Sequence, residues 1–424
     1  MAKHRQFACK NVGKFGKIKE NVTRFNRGVE VWRFIMKIPV EYSRWIEVDL
    51  DGLQENYRKV TEFITNDNDG NPVDVMAVVK SDGYGFGAVM AAKTFIEEGA
   101  KYLAVTTIDE AIELRMNDIK APILVFTSYV PGEAEAFYRY DLIPTIGSIV
   151  GLQDLMDSSY GRNIDCHLKI NTGMNRMGLT VDELIQALQM VNFQENVRIS
   201  GIYSHFATAT DRRTDFCAEQ LAVFEKACSI LEISGITDYV AHLCNSASAL
   251  RFAEARFNCV RLGSVLYGQA PIAKTFGLDL ANPFELKAKI ANLQQINKGD
   301  AVGYGRDFVA KENMSLAIVP VGYAEGFGVN PNARPESVKK AFKNMGKAAL
   351  GKNDRGVWQG DEFYPVVGRV SMQIVAVDNT GKNLQVGDVV EVPIRKVSAG
   401  ARIPRVYTRN DEVVLVRDML GLHE

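Results

Sequence analysis

From Ile46 onward short β-branched apolar runs alternate with helical stretches. The runs are VDVMAVVK (73–80), YLAVTTI (102–108), PILVFTS (122–128), LIPTI (142–146), IDCHLKI (164–170), VRISGIYSHF (197–206), YVAHLC (239–244) and NCVRLGSVLY (258–267). Their hydrophobicity is continuous rather than alternating, as a strand buried on both faces requires. Eight such runs with helices between them predict an α/β fold, a (β/α)8 TIM-type barrel.

Local signals place the helices. Gly99 follows the amphipathic FGAVMAAKTFIEE and suits the residue just past a helix end, and Gly235 does the same after AEQLAVFEKACSILEIS. Thr180 and Glu183 stand at capping-box spacing before LIQALQMV. Beyond about residue 280, AKIANLQQI, SLAIVPVGY, QIVAVD and DVVEVPI are short, Val/Ile-rich and separated by Gly-containing turns. That punctuation predicts a mainly β C-terminal domain. The expected limits are a basic extension over 1–44, a barrel over 45–280 and a β domain over 281–424.

Composition adds exclusions. The chain has 424 residues, 46% apolar and 24% charged, the profile of an ordinary globular protein and not of a disordered one. No window reaches 18 uninterrupted apolar residues, so no membrane span is expected. Six single cysteines without a CxxC pair point to reduced thiols in the cytoplasm, and five scattered histidines give no metal signature. The net charge of −1 conceals an asymmetry: residues 1–44 carry eleven Lys/Arg against three Asp/Glu. This stretch reads as a bland extension, an organelle presequence or a functional arm; no nucleic-acid or membrane partner is expected for the rest of the chain.

A barrel of this kind keeps its site at the carboxyl ends of the strands. That rule selects Lys80 after the first run, Lys169 and Arg176 around the end of the fifth, and His205 after the sixth. Asn245 and Ser246 follow the seventh, and Arg261, Gly263 and Ser264 lie on or beyond the eighth. Ser246 offers a hydroxyl and Gly263 a close backbone approach, which suits a phosphate. A lysine facing a phosphate site fits a Schiff base with pyridoxal 5'-phosphate. A sugar-phosphate enzyme that uses Lys80 only as a charge fits the residue types somewhat better.

AVVKSDGYGFG resembles the lysine signature of the alanine racemase family of fold-type III pyridoxal-phosphate enzymes. KINTGMNRMG, GIYSHFATAT, CNSASAL, VRLGSVLYGQAP, VGYGRDF, VPVGYAEGF and VVGRVSM resemble further blocks in the same order, from about Trp45 to Met372. The resemblance implies a homodimeric racemase with shared active sites, making D-alanine for peptidoglycan. It implies that Lys80 is both the Schiff-base lysine and one proton-transfer base, with Tyr304 serving the opposite face of the substrate. A tyrosine of ordinary pKa about 10 needs help in that role, and His205 resembles its hydrogen-bonding neighbour, linked on to Arg261. Arg261 resembles the residue facing the pyridine nitrogen. Arg176 resembles the contact to the cofactor's phenolic oxygen and the substrate carboxylate, and Lys169 a lysine often carbamylated. Tyr84, Ser246, Gly263 and Ser264, with Asn245 beside them, resemble phosphate contacts. Met372 resembles a substrate contact and Tyr323 an entrance gate.

The chain departs from the family pattern in three places. Phe86 stands where the block usually reads YGHG, Gln373 replaces a common Asp, and between Val390 and Arg405 there is no aromatic residue to match a second gate tyrosine. The last departure opens a broader-specificity racemase acting on serine or basic amino acids. Rivals of another class are a fold-type III decarboxylase, against which Arg261 counts, and a non-catalytic cofactor-binding protein.

Overall fold

The computed structural model describes residues 42–67, 72–158, 162–192, 196–211, 215–329, 355–418 and 421–423. The basic stretch thus lies outside the described residues apart from its last three positions. The first nine strands are β1 (Arg44–Asp49), β2 (Asp74–Val78), β3 (Tyr102–Val105), β4 (Ile123–Ser128), β5 (Ile143–Ile146), β6 (Ile164–Lys169), β7 (Val197–Tyr203), β8 (Val240–His242) and β9 (Cys259–Leu262). Each of the eight predicted runs supplies one of β2–β9. These form a parallel sheet ordered β8-β7-β6-β5-β4-β3-β2-β9. At the seam the Arg261 N–H donates to the Cys244 carbonyl at 3.0 Å, leaving a nearly closed barrel.

Two separate apolar environments explain the unbroken hydrophobic runs. Met76, Val78, Ala104, Leu124, Tyr203 and Cys259 meet inside the barrel. Their neighbours in the strands, Val75, Ala77, Leu103, Val105, Ile123 and Val125, join the outer core beneath the helices. Because side chains alternate across a strand, a strand apolar on both sides reads as a run. The helices end as their signals predict. Thr180 and Glu183 form a reciprocal capping box at the start of Val181–Val191. Gly99 and Gly235 take left-handed conformations just after Ala88–Glu97 and Phe216–Ile233.

The second sheet contains eleven strands among the described residues. Here the expected limits need a correction, since β1 is not a barrel strand. It pairs antiparallel with Phe284–Lys289, Ile46 opposite Leu286, and parallel with Arg405–Arg409, Ile46 opposite Arg405. Trp45, Ile46 and Val48 are buried there, and the helix Leu50–Asn66 then returns the chain to the barrel. The sheet is otherwise antiparallel, and AKIANLQQI divides into two strands, Phe284–Lys289 and Asn292–Ile296. Barrel and sheet pack as one compact unit.

Candidate active site

The carboxyl ends of the barrel strands enclose a cavity of about 630 Å³. Lys80, Tyr84, Lys169, Arg176, His205, Asn245, Ser246, Arg261, Gly263 and Ser264 all line it, so the structure brings together every barrel candidate selected from the sequence. Four of the lining side chains are cationic and none is acidic.

Lys80 opens a turn of unusual backbone. Ser81, Asp82, Gly83 and Tyr84 are all left-handed, with φ between 52° and 59°. That conformation costs about 1–2 kcal/mol for each residue with a Cβ, and three of the four carry one. The turn swings Lys80 and Tyr84 to the same side. Tyr84 stacks on Tyr267, centroids 4.7 Å apart, and its hydroxyl occupies the space beside Gly263, where any Cβ would lie 2.3 Å from it. Burial raises the Tyr84 phenol to about 12, so it stays a donor. Burial and then Arg176 hold the Lys80 amine below the ordinary lysine value, which raises its share of neutral, basic amine.

Arg261 is buried and surrounded by acceptors. Its Nη1 donates to His242 Nδ1 at 2.9 Å and to the His242 carbonyl at 2.6 Å; its Nη2 donates to the Ser204 and Leu243 carbonyls at 2.7 and 2.9 Å. His242 Nε2 lies 2.9 Å from His167 Nδ1, and the His242 ring stacks on Tyr203 at 4.7 Å. Tyr203 in turn bonds Thr145 at 2.9 Å. Since an arginine only donates, His242 must accept at Nδ1 and present its proton at Nε2 to His167. Burial, reinforced by Arg261, lowers the pKa of both His242 and His205 well below the usual histidine value. His167 falls to about 3.

His205 makes the expected link to Arg261, though not the shortest one. Its Nδ1 is 3.4 Å from Arg261 Nη2, while its Nε2 is 3.3 Å from the Asn245 amide. The shorter contact is to His242, a histidine within the seventh barrel run. A usable signal existed: His167, Tyr203, His242 and Arg261 interrupt otherwise apolar strands, and a buried polar group needs a partner. Asn245 also caps the helix Ser246–Arg251, its Oδ1 accepting from the Ala247 and Ser248 amides. The Ser246 hydroxyl oxygen accepts from the Gly263 N–H at 3.0 Å, which leaves its proton to donate into the cavity.

Lys169 is 5% exposed, with Nζ 4.2 Å over the Tyr203 ring. Burial, then Arg261 and Arg176, lowers its pKa well below that of a free lysine.

The C-terminal candidates lie elsewhere. Tyr304, Met372 and Tyr323 are 72%, 57% and 50% exposed, and none of them lines the cavity of its own chain. The expected link from His205 to Tyr304 is thus absent within one chain. Of the sequence departures, Phe86 is buried against Tyr267 and Phe284, centroids 5.0 Å from each, so an apolar ring fits where a histidine would need partners. Gln373 Nε2 lies 3.3 Å from Glu325 Oε1, a contact an aspartate would make repulsive. The short turn Lys396–Ser398 lies against Gly85 without an aromatic side chain.

These residues fit pyridoxal phosphate. The amine of Lys80, the buried guanidinium of Arg261 and the hydroxyls of Tyr84, Ser246 and Ser264 share one acid-free cavity, and Gly263 leaves no Cβ in the cradle.

Two family models, alanine racemase N-terminal domain and alanine racemase C-terminal domain, match residues 48–271 and 284–414. The alanine racemase of Halothermothrix orenii is 32% identical over 379 residues, 87% of this chain and 93% of its own length. Alanine racemase 1 of Bacillus subtilis is 30% identical over 393 residues, 90% of this chain and 97% of its own. The structure of the Bacillus anthracis alanine racemase with bound L-Ala-P has a TM-score of 0.78 at 28% identity, over 90% of this chain and 99% of that one.

Proposed function

From the premise that this chain belongs to the alanine racemase family, a family that depends on pyridoxal phosphate, we propose that it interconverts L- and D-alanine by a two-base mechanism. The observation that carries the reading is the pairing of Lys80 with Arg261 in one cavity lined by four cations and no carboxylate.

Lys80, Tyr84, Ser246, Gly263, Ser264 and Arg261, with Asn245 alongside, would hold the cofactor. When bound, it withdraws electrons from the substrate α-carbon and makes that carbon's proton acidic. Arg261 is always charged and can only donate, so, beside the cofactor's ring nitrogen, it would oppose protonation there and restrain side reactions. Among the described residues no carboxylate bonds Arg261, which bears against the decarboxylase. Arg176 faces the substrate carboxylate. Lys80 removes or returns the proton on one face of the α-carbon, its lowered pKa suiting both directions.

Tyr304 serves the other face from a second copy of the chain. The exposure of Tyr304, Tyr323 and Met372 supports a homodimer in which each sheet face covers the partner's barrel mouth. Lys169, its pKa lowered by burial and then by Arg261 and Arg176, is suited to carbamylation, and the resulting negative charge would hold Arg176. The five cysteines among the described residues are buried and free, which agrees with a reducing, cytoplasmic setting, and D-alanine for peptidoglycan is the corresponding use. Chiral analysis of L-alanine incubated with protein and pyridoxal phosphate tests the reading: D-alanine must accumulate, and unchanged L-alanine refutes it.

A second reading rests on the turn Lys396–Ser398, which brings no aromatic ring to the entrance. It is a broader racemase that accepts serine or basic amino acids. A panel of L-amino acids decides it; alanine exceeding all others by orders of magnitude ends it.

A further inference from the structure

The left-handed turn that carries Lys80 and Tyr84 is held from outside by charged side chains of two different elements. From the barrel, Glu110 at the start of the helix Ile108–Met116 accepts the Ser81 N–H at 2.6 Å. From the second sheet, the hairpin Arg405–Arg409 and Glu412–Asp418 supplies two arginines. Arg417 forms a two-pronged bond to Asp82, Nη1 to Oδ1 at 2.7 Å and Nη2 to Oδ2 at 2.5 Å. Arg405, fully buried, donates Nε and Nη2 to the Gly85 carbonyl at 3.2 and 3.1 Å and lies 3.4 Å from Asp82 Oδ2. The hairpin also closes over the turn sterically: a Cβ at Gly87 would lie 1.9 Å from the Tyr407 hydroxyl.

A run of left-handed residues persists only when its surroundings over-determine it. Inside the turn, Gly85 N–H to Ser81 and Gly87 N–H to Asp82 carbonyl bonds contribute. The fork-to-fork bond fixes direction as well as position, since both guanidinium nitrogens must face both carboxylate oxygens. Any relaxation at Asp82 moves Lys80 and Tyr84, two residues to either side.

We propose that Arg417 and Arg405 are positioning residues that act through Asp82 and Gly85 to hold Lys80 and Tyr84 in cofactor-binding geometry, so that the C-terminal hairpin sets cofactor retention in the barrel of the same chain. The consequence for the cofactor rests on the reading of Lys80 given above; the restraint on the turn does not.

The test uses the full-length protein with Arg417→Met, the near-isosteric Asp82→Asn, the double variant and Arg417→Lys. Amide hydrogen exchange is measured without cofactor, and the pyridoxal phosphate dissociation rate and the separate kcat and KM for alanine are measured with it. Each single variant is expected to speed exchange of residues 81–87 by about tenfold while β3–β6 keep their protection, as loss of a charged hydrogen bond implies. Cofactor release should quicken by a similar factor, with kcat falling more than KM rises. The double variant should be no worse than Arg417→Met, and Arg417→Lys should recover part of the loss, since lysine keeps the charge but not the fork. Unchanged exchange over 81–87, or additive losses in the double variant, overturns the clamp. Altered exchange with unaltered cofactor release overturns only the link to the cofactor. Should Arg417→Met not fold, Asp82→Asn alone decides by the same exchange criterion.

Discussion

At the barrel mouth Arg261 is 3% exposed and bonded on every side, whereas in the C-terminal β domain Tyr304 is 72% exposed and Met372 57%. Both regions carry chemistry-bearing side chains, yet only the first is finished by the folding of one chain. A buried guanidinium must find acceptors as the barrel closes. An exposed tyrosine on a surface that also shows Tyr323, Met372 and Ile374 meets no such demand. One region is positioned by polar satisfaction, while the other is left exposed, as the proposed homodimer would require.

Four measurements press on this contrast, beginning with the largest. Lys80→Ala removes the covalent anchor and one base together, and racemisation followed by chiral chromatography should fall by roughly 10⁴-fold or more. A loss below tenfold would deny the barrel mouth its place as the reaction centre.

Tyr304→Phe should cost roughly 10²–10³-fold, mainly in the direction where the phenol takes the proton. Mixing the two inactive variants sharpens the comparison. Random re-pairing gives one intact site in about four if Lys80 and Tyr304 come from different chains. No recovery after subunit exchange would place both in one chain or neither in the site.

His242→Leu is aimed at the finished region. It strips one acceptor from Arg261 and the donor facing His167, so denaturant unfolding should show about 2–4 kcal/mol of lost stability. A change within 0.5 kcal/mol, the range of an ordinary surface substitution, would mean that the network is not what sets the barrel interior.

The smallest effect is on pH. His167 has its pKa depressed to about 3 by burial, so it is neutral in the folded protein and takes up a proton on unfolding. Its contribution is therefore complete above the unfolded value of about 6.5 and is lost as pH falls toward 3. By pH 5 the loss should amount to about 2 kcal/mol, read from unfolding curves between pH 7.5 and 5. His167→Gln should flatten that dependence; an unchanged slope would exclude His167 as its source.

The barrel was legible because each strand faces two apolar layers, which writes its position into the sequence as a run. Site residues at strand ends could be collected by rule, and the family blocks joined them to Tyr304, Tyr323 and Met372. His242 was missed because one histidine in an apolar strand looks the same whether it fills a core or supports an arginine. Only the registry of β7, β8 and β9 brings its Nδ1 to Arg261. The limit 45–280 placed β1 with the barrel for a related reason. A buried strand beside a helix reads alike whichever sheet it joins, and its partners lie some 240 and 360 residues onward.

The sequence by itself determined the alternation of strand and helix, the change to a β domain near residue 280 and the residue types able to hold an anionic cofactor. These are local properties, set by side-chain periodicity and by chemistry. The tertiary structure alone decided which histidine supports Arg261, that Asp82 is gripped by a hairpin more than 320 residues away, and that Tyr304 faces outward. Such facts arise from contacts between distant segments, where burial and the need of each polar group for a partner choose among arrangements that look the same along the chain.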